Sequence, residues 1–160
     1  MRVGREFEVT SSMVDTLSSL LDLRFEDFEN EVLALELVGV FDVERCSNLE
    51  EIFEFRTAYL LPLLETVLRQ VTPDFAEFWE DMAYKTASLV SPAQVRAFIL
   101  PAWAELAAHL RSAGVPLIMV DCDGRVDELT PLFLEAGIDG TLPCEIAAGS
   151  DPIALRRRHP

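Results

Sequence analysis

The sequence predicts an α/β fold in which helices come first and about three parallel βα units follow. From Val71 onward, short apolar runs alternate with longer amphipathic segments, which is typical of βα units in a parallel sheet. Glycines follow two of the amphipathic segments, at Gly114 and Gly137, where the ends of helices are expected. These two observations predict the fold class before any motif is considered.

The composition predicts one globular domain with an acidic surface. Half of the 160 residues are hydrophobic, so the chain is long enough to bury a sizeable core. Asp and Glu number 28 against 13 Lys and Arg, and the net charge of -15 disfavours nucleic acid and anionic membranes as partners. No apolar run suits a membrane span or a signal peptide, and three cysteines without CxxC spacing predict reduced thiols. We therefore expect a cytoplasmic protein.

Residues 1–71 are predicted to form an N-terminal helical segment. Apolar residues at three- and four-residue spacing predict helix in residues 11–38. The run from Glu31 to Val40 has a period that fits either a helix or a strand, and we assign it to helix.

A clearer helix signal follows in the same segment. Ser47 and Glu50 form a capping box, and apolar residues continue at helical spacing to about Gln70. Pro62 lies inside this predicted helix, where it removes one backbone donor and is expected to bend the axis.

Residues 72–160 are predicted to hold three βα units. Ser91 followed by Pro92 is typical of a helix start, and Pro101 is expected to kink the helix that follows. Each unit is predicted as a strand, a loop and a helix. The first has its strand at 74–81, its loop at 82–90 and its helix at 91–113, and the second has them at 116–120, 121–124 and 126–136. The third has its strand at 140–145, its loop at 146–150 and a short helix that begins with Asp151 and Pro152.

Acidic side chains or thiols lie where each of the three predicted strands ends. They are Glu80 and Asp81 in the first unit, Asp121, Cys122 and Asp123 in the second, and Cys144 and Glu145 in the third. Because the carboxyl ends of parallel strands meet on one face, we expect a shared polar site, with Gly124 and Gly149 leaving room for backbone or ligand. Clustered carboxylates can hold a proton for general acid catalysis, or they can bind a hard cation or zinc. The sequence leaves these options open.

Structural explanations compete for the same residues. Asp and Gly after a strand also form turns and cap the next helix. We interpret Cys122 and Cys144 as buried apolar residues rather than metal ligands. His109 is interpreted as a helix-packing or solvated residue, and the basic run 156–159 as a solvated helix end that suits the helix dipole.

Several short motifs in the three units also occur in an order and spacing typical of one known family. They are Phe78-Trp-Glu-Asp-Met-Ala83, Leu89-Val-Ser-Pro92, Phe98-Ile-Leu-Pro101, Val120-Asp-Cys-Asp-Gly124, Leu134-Glu-Ala-Gly137, Asp139-Gly140 and Pro143-Cys-Glu145. As an ordered set, covering about residues 62–160, they resemble the uroporphyrinogen decarboxylase superfamily. The resemblance implies a (β/α)8 TIM barrel. Residues 72–160 would be a partial barrel of about three units behind the helical segment 1–71, and the chain would be too short for the whole barrel.

The resemblance also implies an activity. Members either decarboxylate the acetate arms of a tetrapyrrole without a cofactor or, in the corrinoid branch, transfer methyl groups with zinc and a corrinoid protein partner. For a decarboxylase-like enzyme acting on a small-molecule substrate, the expected catalytic residues are Asp81, Asp121, Asp123 and Glu145. The expected substrate contacts are Trp79, Glu80, Tyr84 and Gly124.

The sequence departs from both branches of this family. Residues 1–60 contain no counterpart of the arginine-rich segment of the decarboxylases or of the aspartate that binds their pyrrole nitrogens. Where the methyltransferases carry His-x-Cys as zinc ligands, this chain carries Asp121 and Asp123, so a metal here would be bound through oxygen. A third hypothesis is a truncated, non-catalytic domain that covers its open sheet edges with its N-terminal helices or by forming a homodimer.

Overall fold

The protein contains a parallel β-sheet with helices along one of its faces. The computed structural model describes residues 34–37 and 49–160. The elements in chain order are β1 Ala34–Leu37, α1 Leu49–Leu68, β2 Phe75–Trp79, α2 Pro92–Gln94, a π-helical segment Val95–Ile99, α3 Leu100–Ser112, β3 Ile118–Asp121, α4 Thr130–Glu135, β4 Gly140–Leu142, a 3₁₀ helix Ile146–Ala148 and α5 Pro152–Arg158. The predicted α/β class is confirmed.

The four strands follow one another in space as they do in sequence. The order is β1-β2-β3-β4, and every pair of neighbours is parallel. Right-handed connections between neighbouring parallel strands place the connecting helices on one face of a sheet. Accordingly, α1 packs against α3 and α3 packs against α4. The carboxyl ends of the strands lie along one side, which we call the carboxyl edge.

The hydrophobic core lies between the sheet and the helices. Trp103 of α3 and Phe133 of α4 are fully buried there, with ring centroids 5.2 Å apart and planes tilted by 56°. The strand residues that face the helices are also completely buried, namely Ala76, Phe78, Ile118 and Val120. Burial of this apolar surface, at about 25 cal/mol per Å², is the main term that stabilises the layer.

The opposite face of the sheet is less covered by the described residues. Along β2 and β3 the burial alternates strictly, so Phe75, Glu77 and Met119 on this face are only partly buried. Trp79 and Asp121 are paired neighbours at its carboxyl end, and the Trp79 side chain is half exposed. At the carboxyl edge this face therefore presents the exposed indole of Trp79 beside the partly buried carboxylate of Asp121.

Local signals at two of the predicted helix starts, Ser91 and Asp151, are confirmed. Ser91 caps α2, its Oγ accepting a hydrogen bond from the Gln94 N–H at 3.3 Å, and Pro92 takes the first helical position. At α5, Asp151 Oδ1 accepts from the N–H groups of Ile153 and Ala154 at 2.9 and 3.2 Å. Both starts depend on short-range chemistry, which is why sequence could locate them.

A π-helical segment lies just before Pro101, and the kink expected at this proline stays a prediction. The Leu100 N–H bonds to the Val95 carbonyl, five residues back, which is a π turn. Pro101 has no N–H, and its ring crowds the carbonyl four residues earlier, that of Ala97. The wider turn relieves this crowding. Pro62 lies inside α1 as predicted.

The assignment of residues 31–40 to helix is wrong where the structure describes them. Residues 34–37 form β1, which pairs with β2 from Ala34 opposite Phe75 to Leu37 opposite Phe78. Pairing with a strand about forty residues away is a long-range interaction that the local period does not encode. The predictions for residues 1–33 and 38–48, including the Ser47 capping box, lie outside the described residues.

Two further boundaries differ from the prediction by three residues or more. The helix expected from Val126 begins at Thr130, because residues 127–129 form turns and the Val126 N–H bonds to Ser150 Oγ at 3.2 Å. The third predicted strand, 140–145, ends at Leu142. Within the described ranges, no helix is long and apolar enough to cross a lipid bilayer.

Candidate functional site

The carboxyl edge collects residues from three consecutive strands. Trp79 at the end of β2 pairs with Asp121 at the end of β3, and Asp121 pairs with Leu142 at the end of β4. The loops that follow β2 and β3 carry Asp81 and Asp123, each two residues after the end of its strand. The parallel register therefore brings together acidic residues that are about forty positions apart in sequence.

Three of the predicted site residues form one cluster, which we call the acidic trio: Asp81, Asp121 and Asp123. One carboxylate oxygen from each lies within 4.8 Å of the others, a spacing at which they could share a metal ion. Asp81 and Asp123 are exposed and Asp121 is partly buried. Like charges this close repel one another, so the trio favours any ligand that brings a positive charge or N–H groups.

Two hydrogen bonds fix the Asp81 carboxylate. The Trp79 indole N–H donates to Asp81 Oδ2 at 3.1 Å, and the Asp123 backbone N–H donates to Asp81 Oδ1 at 3.2 Å. Charge-assisted hydrogen bonds of this kind hold a carboxylate in one orientation. Trp79, expected to contact substrate, thus also positions a member of the trio.

Glu145 lies in the loop after β4 and is linked to the loop after β3. One of its carboxylate oxygens accepts the Gly124 N–H at 2.7 Å. Ser150 Oγ joins the same two loops, donating to the Gly124 carbonyl at 3.1 Å. Glu145 is therefore placed at the carboxyl edge as predicted, with one oxygen holding Gly124 rather than within the trio.

Gly124 is a point of close backbone approach. Its φ is +86°, and a Cβ atom added there would lie 2.9 Å from the Tyr84 carbonyl oxygen and 3.0 Å from Ala83 backbone atoms. Only glycine fits both the conformation and the space. The Arg125 N–H also donates to the Tyr84 carbonyl at 3.0 Å. The loop after β2 is therefore packed directly on the loop after β3, with the Tyr84 side chain exposed above them.

Glu80 has a different environment from its neighbours. Its carboxylate forms an ion pair with the guanidinium of Arg56 on α1, and both side chains are at least nine-tenths buried. Breaking such a pair would leave an uncompensated charge in the interior. The expected contact of Glu80 with substrate stays a prediction, and its observed contact is a structural one.

Sequence analysis missed Arg56 as part of this edge. The one available signal was an arginine within an otherwise largely apolar helical stretch, between Phe55 and Leu60. Nothing in that pattern identifies its partner, since Glu80 lies on another element 24 positions later.

The two cysteines in the described residues do not join the trio. Cys122 is fully buried, as predicted, and burial raises the pKa of its thiol to about 11, with the nearby charges of Asp81 and Glu80 adding to the effect. Burial also raises the pKa of the Cys144 thiol, with a smaller effect of Asp127 in the same direction. Thiols with raised pKa values are poor nucleophiles and poor metal ligands at neutral pH. The oxygen atoms of the trio are thus the donors that the site offers.

Comparisons of the chain with models of known protein families, with curated proteins and with solved structures found no match. The resemblance to the uroporphyrinogen decarboxylase superfamily therefore stays a prediction from the motifs.

Proposed function

We propose that the carboxyl edge is a small-molecule site of the uroporphyrinogen decarboxylase type, in which Asp81, Asp121 and Asp123 orient the substrate and manage protons. The observation that supports this proposal most strongly is the acidic trio itself. Sequence-distant carboxylates from two strand ends converge at the edge where barrel enzymes carry their chemistry.

The order of the strands supports the barrel part of the proposal. In (β/α) barrels each parallel strand neighbours the next one along the chain, whereas doubly wound sheets reverse their order at a switch point. The observed strand order, β1-β2-β3-β4, contains no such reversal. The helices that connect them pack side by side, as in the outer ring of a barrel.

The chemistry assigned to the trio is general acid catalysis. In decarboxylation the bond between a carbon atom and its carboxylate breaks, carbon dioxide leaves, and the carbanion takes up a proton. A protonated carboxyl group in the trio can supply that proton, and the remaining carboxylates can accept hydrogen bonds from N–H groups of the substrate. Trp79 and Tyr84, with 50% and 66% of their surface exposed, offer aromatic faces beside the polar groups.

Release of carbon dioxide tests this proposal. The purified protein is incubated with a panel of small carboxylated aromatic compounds that carry N–H groups, porphyrinogens included, and compared with its Asp121→Asn variant. We expect turnover that the variant lowers by about 100-fold, the usual scale of a lost general acid. Glu65→Gln, an exposed acidic residue of α1, is the control. Turnover that is equal in all three proteins would exclude the trio from catalysis.

The trio also supports a second candidate, a cation-dependent relative of the methyltransferase branch. Three carboxylate oxygens are a donor set for a hard cation such as Mg²⁺, Mn²⁺ or Ca²⁺. They do not fit the zinc chemistry of that branch, whose zinc has a cysteine thiolate among its ligands. Here both matching positions are aspartate, and the thiol of Cys122 is fully buried with a raised pKa. Asp121 and Asp123, with Asp81, would hold the ion, and it would supply Lewis-acid polarisation of a substrate oxygen.

Calorimetric titration tests the cation site. The second candidate predicts that Mn²⁺ binds with one site per chain and that Asp123→Asn lowers its affinity, and that of any Zn²⁺ bound at the same site, at least tenfold. Stoichiometric zinc that survives loss of Asp123 would contradict the assignment of oxygen ligands.

A further inference from the structure

A groove on the helical side of the molecule is separate from the carboxyl-edge site. It lies between α1 on one side and the π-helical segment with α3 on the other, and it encloses about 510 Å³. Its apolar lining includes Phe53 and Leu61 from α1 and Phe98 and Ala102 from the other wall. An apolar groove between two helices is the shape that accepts an amphipathic helix.

The charges around this groove have one sign. Glu50 and Glu54 from α1 and Glu105 from α3 contribute to its lining, and no lysine or arginine does so among the described residues. All three glutamates are exposed. An occupant that matches both features presents an apolar side chain flanked by positive charges.

The helix α5 presents such a surface. Ile153 is 63% exposed, and Arg156 and Arg157 follow it by three and four residues, which places all three on one face of the helix. Within residues 49–160, the other arginines each form an ion pair with a carboxylate: Arg56, Arg69, Arg96, Arg111, Arg125 and Arg158. Arg156 and Arg157 have no such partner among the described carboxylates. In a chain with a net charge of -15 this is an uncommon concentration of unpaired positive charge.

The α5 helix is held away from the groove of its own chain. Leu155 is buried in the core, and Arg158 forms an ion pair with Asp127, just before α4. Asp127 precedes α4, which packs against α3, whereas the groove is lined only by α1, the π-helical segment and α3. The complementary surfaces of one chain can therefore meet only between two molecules.

We propose that the groove between α1 and α3 binds the α5 helix of a second copy of this chain, with Ile153 in the apolar lining and Arg156 and Arg157 against Glu50, Glu54 and Glu105. The contact joins two different surfaces, so it is heterologous, and repeated copies assemble head to tail. It is independent of the activity proposed for the carboxyl edge.

Sedimentation velocity on the whole chain, over a range of protein concentrations and at low and high salt, tests the proposal. We expect concentration-dependent association that weakens as salt rises, because the contact depends on opposite charges. Glu54→Lys and Arg157→Glu should each weaken the association constant about tenfold, and the double variant should recover most of the loss because it restores an opposite pair. A peptide of residues 149–160, added in excess, should compete.

The control is Glu65→Lys, which makes the same charge change on the same helix at an exposed residue outside the groove. It should leave the association constant within about twofold of the parent, and circular dichroism should show that all variants stay folded. Three results would overturn the proposal: a chain that stays monomeric at submillimolar concentration, equal effects of Glu54→Lys and Glu65→Lys, or a double variant that associates no better than the single ones.

Discussion

Single residues at the carboxyl edge show the strictest structural requirements. Gly124 and Gly149 both have positive φ values, +86° and +90°, but their surroundings differ. A Cβ atom at Gly124 would meet backbone atoms of the preceding βα loop, whereas nothing lies within 4 Å of one at Gly149. The two positions thus separate the cost of the backbone conformation from the cost of lost space.

Alanine substitutions at these two glycines give a matched pair. Gly149→Ala should cost about 1 kcal/mol from backbone strain alone, and Gly124→Ala about 3 kcal/mol or more because backbone must also move. Chemical denaturation of both variants measures the difference. Equal costs would mean that the loops after β2 and β3 are not packed as closely as described.

The thiol of Cys122 predicts a pH dependence of stability. Burial raises its pKa from the ordinary 9.0 to about 11 in the folded protein, so the folded state binds the proton more tightly. The stability linked to this proton is fully present below the pKa of the unfolded thiol and is lost as pH rises through the pKa of the folded thiol. The loss reaches about 2 kcal/mol by roughly pH 10.5.

Unfolding free energies of the parent and of Cys122→Ala, measured at about pH 8 and about pH 10.5, isolate this contribution. The stability advantage of the parent should shrink by about 2 kcal/mol between the two pH values. An advantage that stays constant would show that the Cys122 thiol keeps an ordinary pKa.

At the scale of elements, the sequence revealed features that short-range chemistry controls and missed those that long-range contacts control. The helix starts at Ser91 and Asp151 were predictable because the capping side chain and the backbone N–H groups that donate to it lie within three residues. Residues 34–37 were assigned to the wrong class because only pairing with β2 makes them a strand. Arg56 was missed for the same reason, since its partner comes from another element.

The buried pair of Arg56 and Glu80 fastens α1 to the end of β2. Replacing Glu80 by Gln leaves the buried guanidinium without its counter-charge, which should cost about 3 kcal/mol. The control is Glu65→Gln, which removes the exposed pair between Glu65 of α1 and Arg69 just after the end of α1, 3.1 Å apart, and should cost less than about 0.5 kcal/mol.

Thermal or urea unfolding of both variants gives the comparison. Similar small losses in the two proteins would show that the Glu80 carboxylate is hydrated and that α1 is not fastened through it.

At the scale of the whole molecule, the sequence predicted which residues would meet but not how they would divide their roles. The strand ends were identifiable from the βα pattern, and three of the four expected catalytic residues form the acidic trio. Glu145 instead holds Gly124, and Glu80 is turned into the interior. The sequence could not distinguish these three roles, because a carboxylate after a strand has the same local pattern whether it contacts a ligand, accepts a backbone hydrogen bond or pairs with a buried arginine.

The molecule has two proposed binding surfaces, and they favour different partners. The acidic trio favours a cation or N–H groups on a small molecule, and the groove between α1 and α3 favours the basic face of α5 from another copy. Because the two lie on different parts of the fold, a variant of one should leave the other unchanged.

The most direct test of the central claim is a Mn²⁺ titration followed by ¹H–¹⁵N NMR of the parent and of Asp121→Asn. If the trio is one ligand site, paramagnetic broadening should appear first at the Trp79 indole N–H and at the amides of Asp123 and Gly124, and Asp121→Asn should abolish that preference. Broadening that instead spreads over exposed acidic residues such as Glu54, Glu65 and Glu105, and is the same in both proteins, would contradict a ligand site at the carboxyl edge.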